Sequence, residues 1–237
     1  MLEYYYFFGE DIPLEKHNLG RIHQPTLLEL LDKGITISEF VYPFYITELL
    51  RKESKEPIEN ILFLLLQLDN LNSKNDTTKK LKDSLSLLYR TDDIDIKDNI
   101  GAIIINEDIP IDNDNFSILS KVVLEMTMTE VTIEKKKKDK VQLAIIEEME
   151  RRRKKYEAEH NIKSEMDYID MFNLIVHMLP DISYDRIKTW TIYQVKNTYQ
   201  ILTERYNYET CVNAGAIGKD LKDWRSKLRI QNSKISD

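Results

Sequence analysis

Cysteine is almost missing from this sequence: Cys211 is the only thiol in 237 residues, so no disulfide can form within the chain. That excludes a disulfide-stapled scaffold and makes a reducing compartment the economical reading. Long apolar runs are also lacking. The longest, residues 61–68, is far too short to span a bilayer, and Met1-Leu2-Glu3 is not a basic segment leading into an apolar one. Neither secretion nor a membrane partner is expected. Only 5 Ala and 6 Gly stand against 29 Ile, which most simply reflects an AT-rich coding genome. The same bias supplies Lys, Asn and Asp, so their abundance carries no function by itself.

The usual signatures of chemistry are absent as well. His17, His23, His160 and His177 lie far apart, none with a His or Cys at metal-ligand spacing, and all four are expected at the surface or partly buried. There is no phosphate-cradling glycine loop, no G-x-S-x-G elbow and no H-E-x-x-H. Asp112 and Asp114 stand at the first and third positions of a calcium loop, but Phe116, Ser117 and Val123 occupy places that need oxygen ligands or glycine. Cys211 has no base placed beside it by the sequence. The expectation is a protein without catalytic activity, metal or cofactor.

Charge is plentiful and uneven. The 34 Lys and Arg against 41 Asp and Glu give a net charge of −7, which disfavours nucleic acid as a partner. Between Glu134 and Lys163, however, 11 basic residues meet 7 acidic ones. Arg151 to Lys155 could touch phosphates, but Glu147, Glu148, Glu150, Glu157 and Glu159 share that helix, so a self-paired, solvated face is the stronger reading.

Along the chain, Leu2 to Phe8 is rich in aromatics and ends at Gly9, which suits a strand, with a second short strand around Arg21 to His23. Thr26 can cap a helix carrying Leu27, Leu28, Leu30 and Leu31 that ends at Gly34. Ser38 is expected to cap the next helix, which Pro43 should strain or kink. Pro57 leads into Ile61, Leu62, Leu64, Leu65 and Leu68, expected to be the most buried helix. Asp76 is expected to cap a helix bearing Leu81, Leu85 and Leu88. Ile100 to Ile105 and Ile109-Pro110-Ile111 read as a hairpin, followed by a helix capped by Asp114 or Asn115 with Phe116, Leu119, Val123 and Met126 on one side.

Composition shifts at residues 127–140. A long charged helix with a thin stripe of Val141, Ile145, Met149 and Tyr156 should follow, then a helix opened by Ser164-x-x-Asp167 with Met166, Ile169, Phe172, Val176 and Leu179, stopped by Pro180. The last long helix should begin near Ser183 or Thr191, with Ile192, Val195, Tyr199, Leu202 and Tyr206 along its stripe. The expected architecture is mainly α: an N-terminal α+β domain with a small hairpin (1–130), a charged linker and basic connector helix (131–163), and a C-terminal helical domain (164–237).

Certain stretches resemble a known family. Trp190-Thr191-Ile192-Tyr193-Gln194-Val195 opens a long amphipathic helix, Asn213-Ala214-Gly215-Ala216 follows, and Asp220-Leu221-Lys222-Asp223-Trp224 closes the region. With Gly20-Arg21-Ile22-His23-Gln24-Pro25-Thr26-Leu27 and the stretch from Ile109 to Phe116, this order resembles the tail assembly chaperones of tailed bacteriophages of low-GC Gram-positive hosts. The resemblance implies a chaperone in the host cell cytoplasm that binds the tape measure protein, a very long helical chain, and keeps it competent for tail tube polymerisation. The tail tube protein is a second implied partner, and a homo-oligomer is compatible with it.

Members of that family are often made in a short and a longer frameshifted form, and Lys135 to Lys138 in an AT-rich gene would be encoded by an adenine run on which ribosomes slip. Partner contact is expected at Trp190, Tyr193, Val195, Tyr199, Leu202, Ala214, Gly215, Ala216, Leu221 and Trp224. Ordinary core packing is the competing explanation for the aromatics among them. The rival functions are a nucleic-acid-associated or regulatory helical adaptor using Arg151 to Lys155, and a structural tail component of the virion.

Overall fold

The computed structural model describes residues 2–53, 60, 62–63, 65–66, 76–97, 101–131 and 168–213, with side chains to residue 210 in the last stretch. The linker and connector helix, Arg151 to Lys155, the Ser164 cap and residues 214–237 lie outside the described residues, as do Pro57, Ile61, Leu64 and Leu68. The described chain is mostly helical, with two small antiparallel sheets.

The first element corrects the sequence reading. Leu2–Phe8 is a helix, α1, and not a strand. β propensity reflects how a side chain fits a pleated, half-buried surface, and here tertiary contacts override it. Gly9 takes φ +69° just past the last turn, and the Glu10 N–H reaches back 3.1 Å to the Tyr5 carbonyl, the six-to-one closure of a left-handed helix end. The buried Gln24 donates from Nε2 to the carbonyls of Tyr5 and Glu10, both at 2.7 Å, so carbonyls at the helix end are satisfied by a side chain from outside it.

Two short strands follow, β1 (Ile12–Pro13) and β2 (Arg21–Ile22), paired antiparallel with Ile12 opposite Ile22. α2 (Leu27–Asp32) begins at Thr26 with a reciprocal box: Thr26 Oγ1 accepts from the Glu29 N–H while the Glu29 carboxylate accepts from the Thr26 N–H at 2.7 Å. In α3 (Ile37–Glu53) Thr36, not Ser38, makes the same exchange with Glu39, because Thr36 stands three residues ahead of an acid and Ser38 does not. Pro43 is buried inside α3.

α4 (Thr77–Tyr89) starts after Asp76, but that carboxylate does not cap it. Asp76 sits at φ 31° and its side chain turns to Lys79 at 3.8 Å. The expected Leu81, Leu85 and Leu88 are fully buried. β3 (Ile94–Lys97), which sequence reading missed, pairs with β4 (Ala102–Ile105), and β4 pairs with β5 (Ile109–Ile111). Alternating Asp and Ile in β3 is too short a signal to stand out from its acidic surroundings.

α5 (Asn113–Met126) is capped by Asp112, not by Asp114 or Asn115; Asn115 is instead the reciprocating third residue, its Oδ1 accepting from the Asp112 N–H at 2.8 Å. Phe116, Leu119, Val123 and Met126 are buried as expected. α3 packs on α4 and α5. Phe40, Phe44 and Phe116 pack at the centre with tilted rings, centroids 6.4 and 6.0 Å apart. Leu62, Leu65 and Leu66 add to this core.

The remaining helices are α6 (Tyr168–Met178), α7 (Tyr184–Ile187) and α8 (Ile192–Asn213). Of the two starts expected for the last long helix, Thr191 is the one that opens α8, while Ser183 caps the separate short helix α7, which the sequence did not suggest. Ile175 is the residue of α6 that buries fully, while the expected Ile169 is exposed. α8 packs on α6 and on α1. Its stripe is buried at Ile192, Val195 and Leu202 and runs out into solvent at Tyr206. Ile187, Ile192, Tyr193, Val195 and Leu202 belong to the same hydrophobic cluster as the core of residues 2–131.

Candidate functional site

Two of the stretches on which the resemblance rests, 20–27 and 190–195, meet in space. Thr26 and Thr191 form an antiparallel bridge; the Leu27 N–H donates to the Trp190 carbonyl at 3.0 Å and the Leu28 N–H to the Lys188 carbonyl at 2.8 Å. Thr191 and Gln194 repeat the reciprocal exchange seen at Thr26 and Glu29, with Gln194 Oε1 accepting from the Thr191 N–H at 2.9 Å. The motif residues Thr191 and Gln194 are therefore helix-start chemistry, and the bridge from Thr191 to Thr26 joins the start of α8 to the start of α2.

The expected contact residues divide. Tyr193, Val195 and Leu202 are buried within the chain, Trp190 and Tyr199 are half-buried, and Ala214, Gly215, Ala216, Leu221 and Trp224 lie outside the described residues. Tyr193 packs on Tyr6 of α1, ring centroids 5.6 Å apart. Gln194 Nε2 also donates to the Phe7 carbonyl at 3.2 Å, so the start of α8 grips the end of α1.

This grip leaves an aromatic surface in view. A helix places positions 4, 7 and 8 on one side, and Tyr4, Phe7 and Phe8 are 55%, 49% and 56% exposed, while Tyr6 is buried. The exposed rings touch one another: Tyr4 lies 4.7 Å from Phe8 and Phe8 lies 5.2 Å from Phe7. Beside them is an open groove of about 260 Å³ lined by Phe7, Trp190, Tyr193, Gln194, Asn197 and Thr198. Read as a strand, the same segment would have put Tyr4, Tyr6 and Phe8 together, so the sequence reading missed this face. Gly9 followed by an acid after a seven-residue run was the signal that could have found it.

Underneath, burial pushes the Tyr6 hydroxyl well above its ordinary range, helped by the nearby charge of Glu125, which accepts its hydrogen bond at 3.1 Å. Glu125 itself is raised, first by burial and also by the charge of Glu3, against the lowering bond from Tyr6 and the opposing charge of Lys121. One Glu3 oxygen is buried without a hydrogen-bond partner among the described residues. Lys196, lowered by burial, donates to the Thr127 carbonyl at 2.8 Å, tying α8 to the end of α5.

His23 is the other concentration of polar groups, and contrary to expectation it is buried. Its Nδ1 lies 3.0 Å from Asp11, and its Nε2 lies 2.9 Å from Glu29 and 3.0 Å from Arg90. Burial favours the protonated form of Glu29, but the Thr26 N–H and His23 outweigh it and hold its carboxyl below the usual range. An Asp–His pair can serve a general base, yet both ring nitrogens here are engaged by structural partners. The cluster joins the segment leading into β1, the start of α2 and the end of α4.

Among the described residues no group of three or more His, Cys, Asp or Glu side chains is gathered to hold a metal ion, and no helix is long and apolar enough to cross a membrane. No family model, curated protein or solved structure matches the chain.

Proposed function

We propose that this chain is a phage tail assembly chaperone, acting without catalysis, that binds the tape measure protein and keeps it competent for tail tube polymerisation. The observation that carries the reading is the exposed aromatic surface of Tyr4, Phe7 and Phe8 beside the groove at Trp190. It supports holding of a protein chain, because an apolar helix awaiting assembly needs a surface that shields it from its own kind. The resemblance of Gly20 to Leu27 and of Trp190 to Val195 supports the particular client. In this proposal the contact surface centres on α1 and the half-buried Trp190, since Tyr193, Val195 and Leu202 already pack within the chain.

Magnitudes fit a reversible complex. Covering the exposed halves of three aromatic side chains removes about 300 Å² from water, a gross gain of about 7 kcal/mol at about 25 cal/mol per Å². Association costs of about 4 kcal/mol or more absorb much of that. Displacement by tube subunits would then be feasible. Coexpression with the tape measure protein tests the proposal: the two are expected to copurify and the client to stay soluble, whereas a client that aggregates equally with and without this chain rules it out.

A further inference from the structure

The inward side of α1 is acidic. Glu3 and Tyr6 stand three residues apart and so share a face of the helix, the one that packs Tyr6 on Tyr193 of α8. Glu125 of α5 meets them there and accepts from the Tyr6 hydroxyl at 3.1 Å. One Glu3 oxygen is buried without a hydrogen-bond partner. Neither carboxylate makes an ion pair among the described residues. Lys196 of α8 is turned to the Thr127 carbonyl, and Lys121, one turn before Glu125 on α5, draws on its charge without pairing with it. Burial raises Tyr6, Tyr193 and Glu125, and the charge of Glu3 adds to the rise in all three.

Ionised carboxylates only accept hydrogen bonds, and among the described residues the Tyr6 hydroxyl is the side-chain donor this pair receives. A proton on either carboxyl supplies a second donor and removes one of two like charges from a poorly solvated place. α1 is seven residues long, too short to persist as a helix once undocked, and it joins the rest of the chain at the left-handed Gly9.

We infer that α1 is a proton-latched strap: it lies closed on α5 and α8 while one of the two carboxyls, Glu3 or Glu125, carries a proton, and it swings off Tyr193 about Gly9 once both ionise. This does not rest on the chaperone reading. Closing takes up a proton, so the strap is tightest in acid. Because the docked Glu125 is raised, that share of the closing free energy is complete below the ordinary carboxylate value and is lost as pH rises through the raised one. Above both values the opening equilibrium is level again.

Amide hydrogen exchange of the full chain tests this, with rates corrected for the intrinsic effect of pH. The opening constant at residues 6–10 is expected to rise with pH by up to about tenfold per unit, the limit for one linked proton, and then to level off. Amides of the buried Leu85 and Val122 should not follow it. Glu125→Gln, which keeps an acceptor for Tyr6, should be closed and flat across pH, and Glu3→Gln should shrink the rise. Tyr6→Phe removes the bond that lowers Glu125, so the levelling-off should move to higher pH. A wild-type opening constant independent of pH, a rise that survives Glu125→Gln, the same rise at Leu85 and Val122, or a levelling-off that Tyr6→Phe leaves in place overturns the inference.

Discussion

At the residue scale, Gly9 and Glu125 set the terms on which α1 is held. A Cβ on Gly9 would lie 3.2 Å from Thr191 Cγ2 and 3.3 Å from Gln194 Nε2, at a φ of +69° that L side chains adopt only with strain. Gly9→Ala is therefore expected to cost about 1–2 kcal/mol, read as a lower denaturant midpoint at unchanged slope. Glu125 gives a pH dependence. Its folded pKa is raised, so its contribution to stability is greatest below the unfolded carboxylate value and is lost as pH rises through the folded one. Glu29, held low, contributes in the opposite sense and is lost on acidification. Glu125→Gln keeps an acceptor for Tyr6 and removes only the first of these. Stability measured against wild type across pH should show the variant ahead at neutral pH, with the gap closing towards acid; a gap independent of pH would contradict the assignment.

At the element scale, three helices start with reciprocal side-chain boxes at Thr26, Thr36 and Asp112, and α8 starts with the same exchange between Thr191 and Gln194. Thr26 and Thr191 also face each other across the bridge, so each supports two helices. Replacing either by Ala is expected to cost about 1 kcal/mol, and because the bridge between them is backbone and survives both changes, the two losses are expected to add. A double-mutant cycle by chemical denaturation measures this. The Thr26 cap was legible because an acid three residues on identifies it, whereas Ser38, Asp76, Asp114 and Asn115 were plausible cap residues lacking the right partner at the right offset. At α3 and α5 the residues with that partner were Thr36 and Asp112.

The strand assigned to Leu2 to Phe8 failed for a different reason. Tyr and Phe favour strands on average, but the segment is ended by a left-handed Gly9, and Gln24, nineteen positions away from Tyr5 in sequence, takes the Tyr5 carbonyl together with that of Glu10 just past the helix. Tyr6→Ala, which empties the one fully buried place of α1, should cost about 3–5 kcal/mol if the helix stays docked. A smaller loss, together with fast amide exchange confined to residues 2–10, would show α1 detaching by itself.

At the scale of the whole molecule, the helices of residues 168–213 share one hydrophobic cluster with residues 2–131. Calorimetry is accordingly expected to give one cooperative transition for the described core, and Val195→Asp, which buries a charge in that seam, should lower the melting of both parts together. Two separated transitions would show that the seam contributes little.

By itself the sequence determined what depends on residue type and short spacing. It specified the mostly helical class, the β4–β5 hairpin, the apolar stripes at Leu81 to Leu88 and Phe116 to Met126, and the start of the last long helix at Thr191 as one of two candidates. Periodicity and capping are local, so local information suffices for them. Only the tertiary structure decided that α1 is a helix, that His23 is buried between two carboxylates and a guanidinium, and that Tyr193, Val195 and Leu202 are occupied within the chain while Tyr4, Phe7 and Phe8 face outward. Those outcomes depend on which distant side chain satisfies a carbonyl or covers a ring, and Gln24, Thr191 and Gln194 act on α1 from positions that no window along the sequence connects.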